Sequence, residues 1–497
     1  MQPPPPPTLS PSHQRIRRWL PLWALVIVLS SLSTTYFQRD IWTDEAFSIS
    51  YTFHPQLQAV LEDIRKNEET PPIYFIALWL WARYLGHEVV TLRILSFLFG
   101  ALAAVGFSLL ARRWLPPVAA LLATTFFAGA PLLLLYMGEA RAYTLTVLVA
   151  LFCIAAFEYL LAQPDHPLAL VLYTLSGVML FLTSYFGIAL LAAHNLIWIA
   201  RLRQQAHWQR RLIQWIGIEG GSVLLIAAWV PSLLYQQQIA PAVTVDWSNG
   251  VADYYWFALS VLLGAPPAGW LRIIWLLIGT LTWAFTSVAL LRSRSLDGGL
   301  TLRTFGIPAL TLTLFVLVLQ VTAPRYLLIL LPGTALAIAT GYCAIKQVRP
   351  RLAHLLLTVL LLCVIGYQLV SGVQRTYVNG WAELTNRVAQ AANPTSDVVL
   401  LHPPWDVRVF QYYYHGPTLP LLGAANYDDF YAFEDHHMRT TWTLAEALPV
   451  TQAYQRVWVF YNQSSHQVPK LPLPYRQLQH WQRGRLELFL YQVDAAP

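Results

Sequence analysis

The 497-residue chain is 56% hydrophobic and only 11% charged, with a mean hydropathy of +0.46. Soluble domains carry roughly 25% charged residues, so this composition excludes an ordinary soluble globular protein. The formal charge of +7 comes largely from short basic clusters between apolar runs, the pattern of cytoplasmic loops in a membrane protein and not of a nucleic-acid-binding surface.

Residues 1–18, with five consecutive prolines at 3–7, read as a disordered cytoplasmic tail. The first apolar run, 19–37, is longer than a signal-peptide core. Acidic and aromatic residues follow it instead of a small-residue cleavage site, so it is expected to stay as an anchor. Further runs lie at 92–111, 115–135, 142–162, 167–184, 186–200, 214–235, 270–291, 304–321, 327–345 and 352–372, most of them near the ~20 residues that cross hydrocarbon. Arg15, Arg17 and Arg18 place the N-terminus in the cytoplasm. Arg112 and Arg113, then Arg201, Arg203, Arg210 and Arg211, then Arg292, Arg294 and Arg303, and finally Lys346, Arg349 and Arg351 fall on the same side. This alternation holds if residues 71–85 do not cross. That segment is ~22 Å long as a helix and begins with two prolines. The chain is thus expected to be a polytopic α-helical membrane protein with about 11–13 transmembrane helices, the upper figure including ambiguous segments such as 253–268. Cys153, Cys343 and Cys363 all sit in apolar runs, which implies no disulfide and no cysteine-based metal site.

Four polar segments then face outward. The first outer loop, 38–70, carries Asp44 and Glu45, within about 25 Å of the end of the first span. Carboxylates there cost solvation and do nothing for anchoring, so they point to chemistry at the membrane surface. Leu57, Val60, Leu61 and Ile64 then mark an amphipathic helix over 55–66, expected to lie in the interface plane. The second segment, MGEARAY, holds Glu139, Arg141 and Tyr143. The third is 236–252. The fourth, TAPRYLL, holds Arg325 and Tyr326. Taken singly, each residue has an ordinary reading: a solvated acid, a snorkelling arginine or a tyrosine of the aromatic belt. Together, Asp44, Glu45, Glu69, Arg93, Glu139, Arg141 and Arg325 all fall in the first outer loop or at outer ends of spans, where cations run against the positive-inside bias. Acids for base or metal work and arginines for a phosphate make a coherent set.

In order, DIWTDEAFS, EETPPIYFIALWLWARYLG, TLRILSFLFGALA, YMGEARAYTL, SYFGIALLA and APRYLLILLPGTALAIA resemble the GT-C superfamily of integral-membrane glycosyltransferases, over residues ~19–345. The likeness is to bacterial relatives of the protein O-mannosyltransferases and of the aminoarabinose transferase that modifies lipid A. The resemblance implies the GT-C fold at the plasma membrane and inverting transfer of a hexose or pentose from a polyprenyl-phosphate donor. The acceptor would be a lipid, glycan or protein at the outer face. It implies Asp44 as general base with Glu45 beside it. Arg141 and Arg325, with Arg93 as a third, would bind the phosphate, helped by Tyr143 and Tyr326. Glu69 matches an acid that helps hold a divalent metal ion in the lipid A relatives, which carry a basic residue where Thr70 stands. His54 and His194 are its candidate partners by position, although a lone histidine such as His194 on an apolar span is more often simply packed.

From about 373 the apolar runs shorten. Helices are expected at 381–392 and 407–414, and strands at 397–401, 456–461 and 485–493. Residues 373–497 thus read as a small extracytoplasmic α/β domain after a 19–372 membrane domain. The cluster from Tyr427 to Asp429 and Glu434 to His437 matches no metal spacing and reads as a solvated acidic loop. Two rival functions are a transporter or flippase of lipid-linked sugars, which should show internal hydropathy repeats, and a non-catalytic membrane scaffold.

Overall fold

The computed structural model describes residues 11–30, 37, 39–202, 207–239, 262, 269–292, 299–319, 324–374, 380–402, 404–424, 438–441, 444–462 and 475–494. The polyproline tail, most of 236–252 and 253–268, and the cluster 427–437 lie outside the described residues. Two compact units divide the chain. One comprises Met1–Phe37, Thr70–Pro231 and Val243–Val373; the other comprises Gln38–Glu69, Ser232–Ala242 and Gln374–Pro497.

The first unit is helical. Its opening helix, Pro11–Ser30, starts inside the stretch expected as a tail. Proline suits a first helical turn, where its missing N–H costs no hydrogen bond, and the arginines that follow are good helix formers. Among the described residues, six helices are long and apolar enough to cross a membrane: Val89–Trp114, Tyr143–Ala162, Trp208–Gln236, Leu271–Arg292, Arg325–Val348 and Pro350–Gln368. A seventh span is possible as the pair Pro117–Ala128 and Pro131–Met137, bent by 48° where Pro131 opens the second piece. Ile73–Leu85, Pro167–Phe181, Gly187–Leu202 and Leu302–Leu317 are shorter apolar helices. At 13 residues, Ile73–Leu85 falls short of the ~30 Å hydrocarbon thickness.

Two buried ionisable side chains of this unit have defined surroundings. Arg303, read from the sequence as a loop cation, is buried and forks onto Glu158 at 2.7 and 2.8 Å, because a guanidinium out of water needs a carboxylate partner. His194 is also buried. It stacks on Phe157 at 4.0 Å, with Cys153 Sγ 4.0 Å from Nδ1, so it is a packed residue. Helices close up where glycine removes the side chain. A Cβ at Gly341 would collide with the Phe285 carbonyl, and one at Gly333 with the Thr304 carbonyl.

The second unit is built on a six-stranded sheet: β1 (Asp397–His402), β2 (Leu421–Ala424), β3 (Met438–Thr441), β4 (Arg456–Asn462), β5 (Tyr475–Arg483) and β6 (Leu486–Val493). The order is β3-β2-β1-β4-β6-β5. The first four strands in that order run parallel, and β6 is antiparallel to both β4 and β5. Val398, Leu400, Val457, Val459 and Phe489 belong to one core cluster. Trp381 and Phe410 pack on Phe460 at 5.4 and 5.3 Å, which seats the helices Trp381–Ala391 and Val407–Tyr413. Asp397, fully buried, accepts two bonds from Arg456 and one from the Trp458 indole.

Gly341→Ala is expected to lower the thermal stability of the detergent-solubilised protein by about 1–3 kcal/mol, because backbone, not a flexible side chain, blocks the new methyl. Gly366, which has open space around it, should accept alanine with no loss, since alanine favours helix by about 1 kcal/mol.

Candidate functional site

In the first unit the bent helix pair delivers the chain into a short non-helical stretch, Gly138–Ala142, before the helix Tyr143–Ala162 starts. Every residue of that stretch is buried. Irregular buried backbone among apolar helices costs hydrogen bonds and is tolerated where it builds a site. Arg141 N–H donates to the Glu139 carbonyl at 2.8 Å, which turns the chain tightly. Ser96 Oγ donates to the Arg141 carbonyl at 3.2 Å and also pairs with Tyr74 Oη at 2.8 Å. The Arg141 guanidinium lies 5.7 Å from the Phe75 ring and 5.8 Å from the Tyr143 ring, and Tyr143 in turn packs on Tyr136. Arginine over aromatic faces keeps its fork of donors directed. Arg325 and Tyr326 open another aromatic group: Arg325 sits 5.3 Å over Tyr326, which stacks on Phe186 at 3.9 Å. Both are partly exposed. Arg93 is fully buried and donates to the Phe37 carbonyl at 2.9 Å, so it ties down the chain at the end of the first segment.

In the second unit, Asp44 and Glu45 are not in a loop. They occupy the first turn of the helix Thr43–Ser50, where the helix dipole and unpaired backbone N–H groups favour negative charge. Glu45 is buried and Asp44 partly exposed, so Asp44 is the more accessible carboxylate. The C-terminal residues of the same unit hold this helix along its length. Trp381 N–H donates to Asp40 at 3.1 Å, and Ile41 N–H to Tyr413 Oη at 3.0 Å. Thr43 Oγ1 donates to Asp406 at 2.6 Å, and Asn462 to the other Asp406 oxygen at 2.9 Å. Arg408 donates to Ser50 Oγ and to Asp63 at 3.1 Å, with its guanidinium 4.4 Å from Phe47 and 5.4 Å from Tyr51. The expected amphipathic helix is Leu57–Asn67. It buries Val60 and Ile64, accepts a bond from Gln236 at the Ile64 carbonyl and presents Asp63 to Arg408.

Two carboxyls here are displaced in opposite directions. Burial pushes Asp406 up to about 6, against the pull of Thr43 and Asn462. Burial also raises Asp63, but the Arg408 charge and hydrogen bonds from His54, Asn67 and Arg408 outweigh it and hold that carboxyl below its usual range. His54 Nε2 lies 2.7 Å from Asp63 Oδ2, so this histidine serves Asp63. Glu69 is exposed while its neighbour Glu68 is buried. Among the described residues no three His, Cys, Asp or Glu side chains are placed together to hold a metal ion. Sequence reading missed Asp406, Arg408 and Tyr413. The available signal was two charges spaced two apart at the start of an otherwise apolar, aromatic helix.

No protein-family model matches the chain, and no curated protein matches it in sequence. Its fold does match solved structures. ArnT from Cupriavidus metallidurans in the apo state superposes with a TM-score of 0.61 over 97% of this chain and 98% of that one, at 15% identity. The same protein bound to undecaprenyl phosphate gives 0.55 over 94% and 98%, at 16% identity. The Archaeoglobus fulgidus oligosaccharyltransferase in complex with Zn and sulfate gives 0.52 over 88% of this chain and 67% of that one, at 10% identity. The chain has the GT-C fold, with its apolar helices and small C-terminal sheet, and is a multi-pass membrane protein.

Asp406 sets a pH dependence whose sign is fixed. Between its unfolded value of 3.8 and its folded value of about 6, the folded state keeps a proton that the unfolded state has released. Stability from this group is therefore full below pH 3.8 and falls as pH rises to about 6, by up to about 3 kcal/mol. The Asp63 contribution is lost only as pH falls below that window. Thermal unfolding at pH 4.5 and 6.5 should show wild type losing stability relative to Asp406→Asn as pH rises, and parallel curves would refute the assignment.

Proposed function

We propose that this protein is an inverting glycosyltransferase that moves a sugar from a polyprenyl-phosphate donor to an acceptor hydroxyl at the outer face of the membrane. The observation that carries this reading is the GT-C fold match over nearly the whole chain to ArnT, a protein solved with undecaprenyl phosphate bound. The chain's own residues supply what the reaction needs. The acceptor oxygen attacks the anomeric carbon while the bond from that carbon to the phosphate oxygen breaks. The acceptor proton passes to Asp44, and polyprenyl phosphate leaves. Such a leaving group needs cations more than a general acid. Arg141 and Arg325 are assigned to the phosphate because a guanidinium grips its oxygens in pairs. Tyr143 and Tyr326 hold those arginines by their ring faces. Arg93 supports the site from its bond to Phe37, and Glu45 lies beside the base. Glu69 is assigned no step.

The basic clusters support a cytoplasmic N-terminus with residues 373–497 on the outer side. A hydrolase would instead need two facing carboxyls to protonate the sugar oxygen and activate water.

The test is transfer by purified protein in liposomes, with radiolabelled polyprenyl-phosphate mannose, glucose or arabinose and an envelope extract as acceptor. Asp44→Asn should lower the transfer rate by about 100-fold or more while the donor still binds, the scale on which a positioned base acts. Equal transfer by wild type and Asp44→Asn would remove Asp44 from the chemistry. Movement of intact donor across the bilayer without transfer would favour a transporter.

A further inference from the structure

We propose that Asp406 and Arg408 are positioning residues for the transfer step, which fix the direction in which the helix Thr43–Ser50 presents Asp44. The inference deepens the reading of Asp44 as the base and rests on it. The geometry begins with helical periodicity. Thr43, Phe47 and Ser50 stand at i, i+4 and i+7, one stripe along a single face. All three points of that stripe are held by one segment of the C-terminal residues. Asp406 takes the Thr43 hydroxyl, and Arg408 takes the Ser50 hydroxyl and lies over the Phe47 ring. Asp44 lies about 100° round the helix from the stripe. A grip on the stripe thus sets how far the helix can roll, and the roll sets where the Asp44 carboxylate points.

The grip is anchored at its far side. Asp406 stands at the N-cap of the helix Val407–Tyr413, yet its side chain caps nothing there. Its oxygens go to Thr43 and to Asn462 at the end of β4. Arg408 is tied to Asp63, which is held in turn by His54 and Asn67. Both residues are buried, and neither is needed to cap the helix it starts. Holding a base to within a fraction of an ångström is what separates efficient from poor proton transfer, since a misplacement of about 1 Å can cost about 100-fold.

The experiment uses the full-length protein in liposomes and the same transfer assay, read as kcat and KM for the donor, with thermal midpoints alongside. Thr43→Val keeps shape and removes the hydroxyl, whereas Thr43→Ser keeps the hydroxyl. Thr43→Val should lower kcat about 10-fold with the donor KM changed less than about twofold, and Thr43→Ser should restore kcat to within about twofold. Arg408→Gln should give the same split between kcat and KM independently. Adding Thr43→Val to Asp44→Asn should cost nothing further, because direction is irrelevant once the base is gone. Wild-type kcat in Thr43→Val, with Asp44→Asn inactive, would overturn the positioning role and leave the base reading intact. Equal losses in Thr43→Val and Thr43→Ser that follow a lowered thermal midpoint would reduce the grip to a structural one. A fully active Asp44→Asn would overturn both readings.

Discussion

A carboxylate taken out of water must have its oxygens satisfied, and Asp406 meets that demand with one bond from the acid-bearing helix and one from the sheet. Removing the segment around Thr43 would leave a buried acceptor without its donor, at a cost of about 1–3 kcal/mol. The same logic runs through Arg408, whose donors go to Ser50 and Asp63. Residues 38–69 and the C-terminal sheet therefore form one compact unit although more than 300 residues of chain separate them. The acids that would do the chemistry are carried on a scaffold of packed aromatic residues and β-strands, which holds a catalytic group more firmly than a free loop would.

The first unit answers a different constraint. Its apolar helices have no hydrophobic drive to associate in lipid, so close packing and paired polar groups must hold them. Glycines at 333 and 341 let neighbouring backbones approach, and Arg303 with Glu158 neutralises two charges among apolar helices. Against that tight background the buried break at Gly138–Ala142 stands out. It places Arg141 against two aromatic rings, a fixed cation of the kind a phosphate needs.

Much of the fold was legible because its signals are local. Apolar length located the six long helices, while 167–184, 186–200 and 304–321, expected as spans, form shorter apolar helices. The short apolar runs RVWVFY and RLELFLYQV marked the buried strands β4 and β6, and the stretches 381–392 and 407–414 read as helices, close to where they lie. β2 and β3 have only four residues each, too few to show a period. β5 is an edge strand, mostly exposed and rich in Arg, Gln and His, so it lacks the hydrophobic pattern that identifies a buried strand. The acids at 44 and 45 could be picked out by position and by resemblance. Their placement on a helix could not, because that helix is short and owes its seating to residues 406, 408 and 413. The pairing of Arg303 was not legible for the same reason: its partner Glu158 lies 145 positions away, and only the fold joins them.

The most direct measurement is hydrogen exchange on the full-length protein in lipid discs, resolved over residues 43–50, 57–67, 381–391 and 397–402. Cooperative units open together, with one free energy. If the acid-bearing segment is part of the C-terminal unit, amides at 43–50 should exchange with the same opening free energy as those of β1 and the helix Trp381–Ala391. They should also lose protection in step with them as denaturant is added. Fast exchange at 43–50 while the sheet stays protected would contradict the account and return the acids to an independent loop.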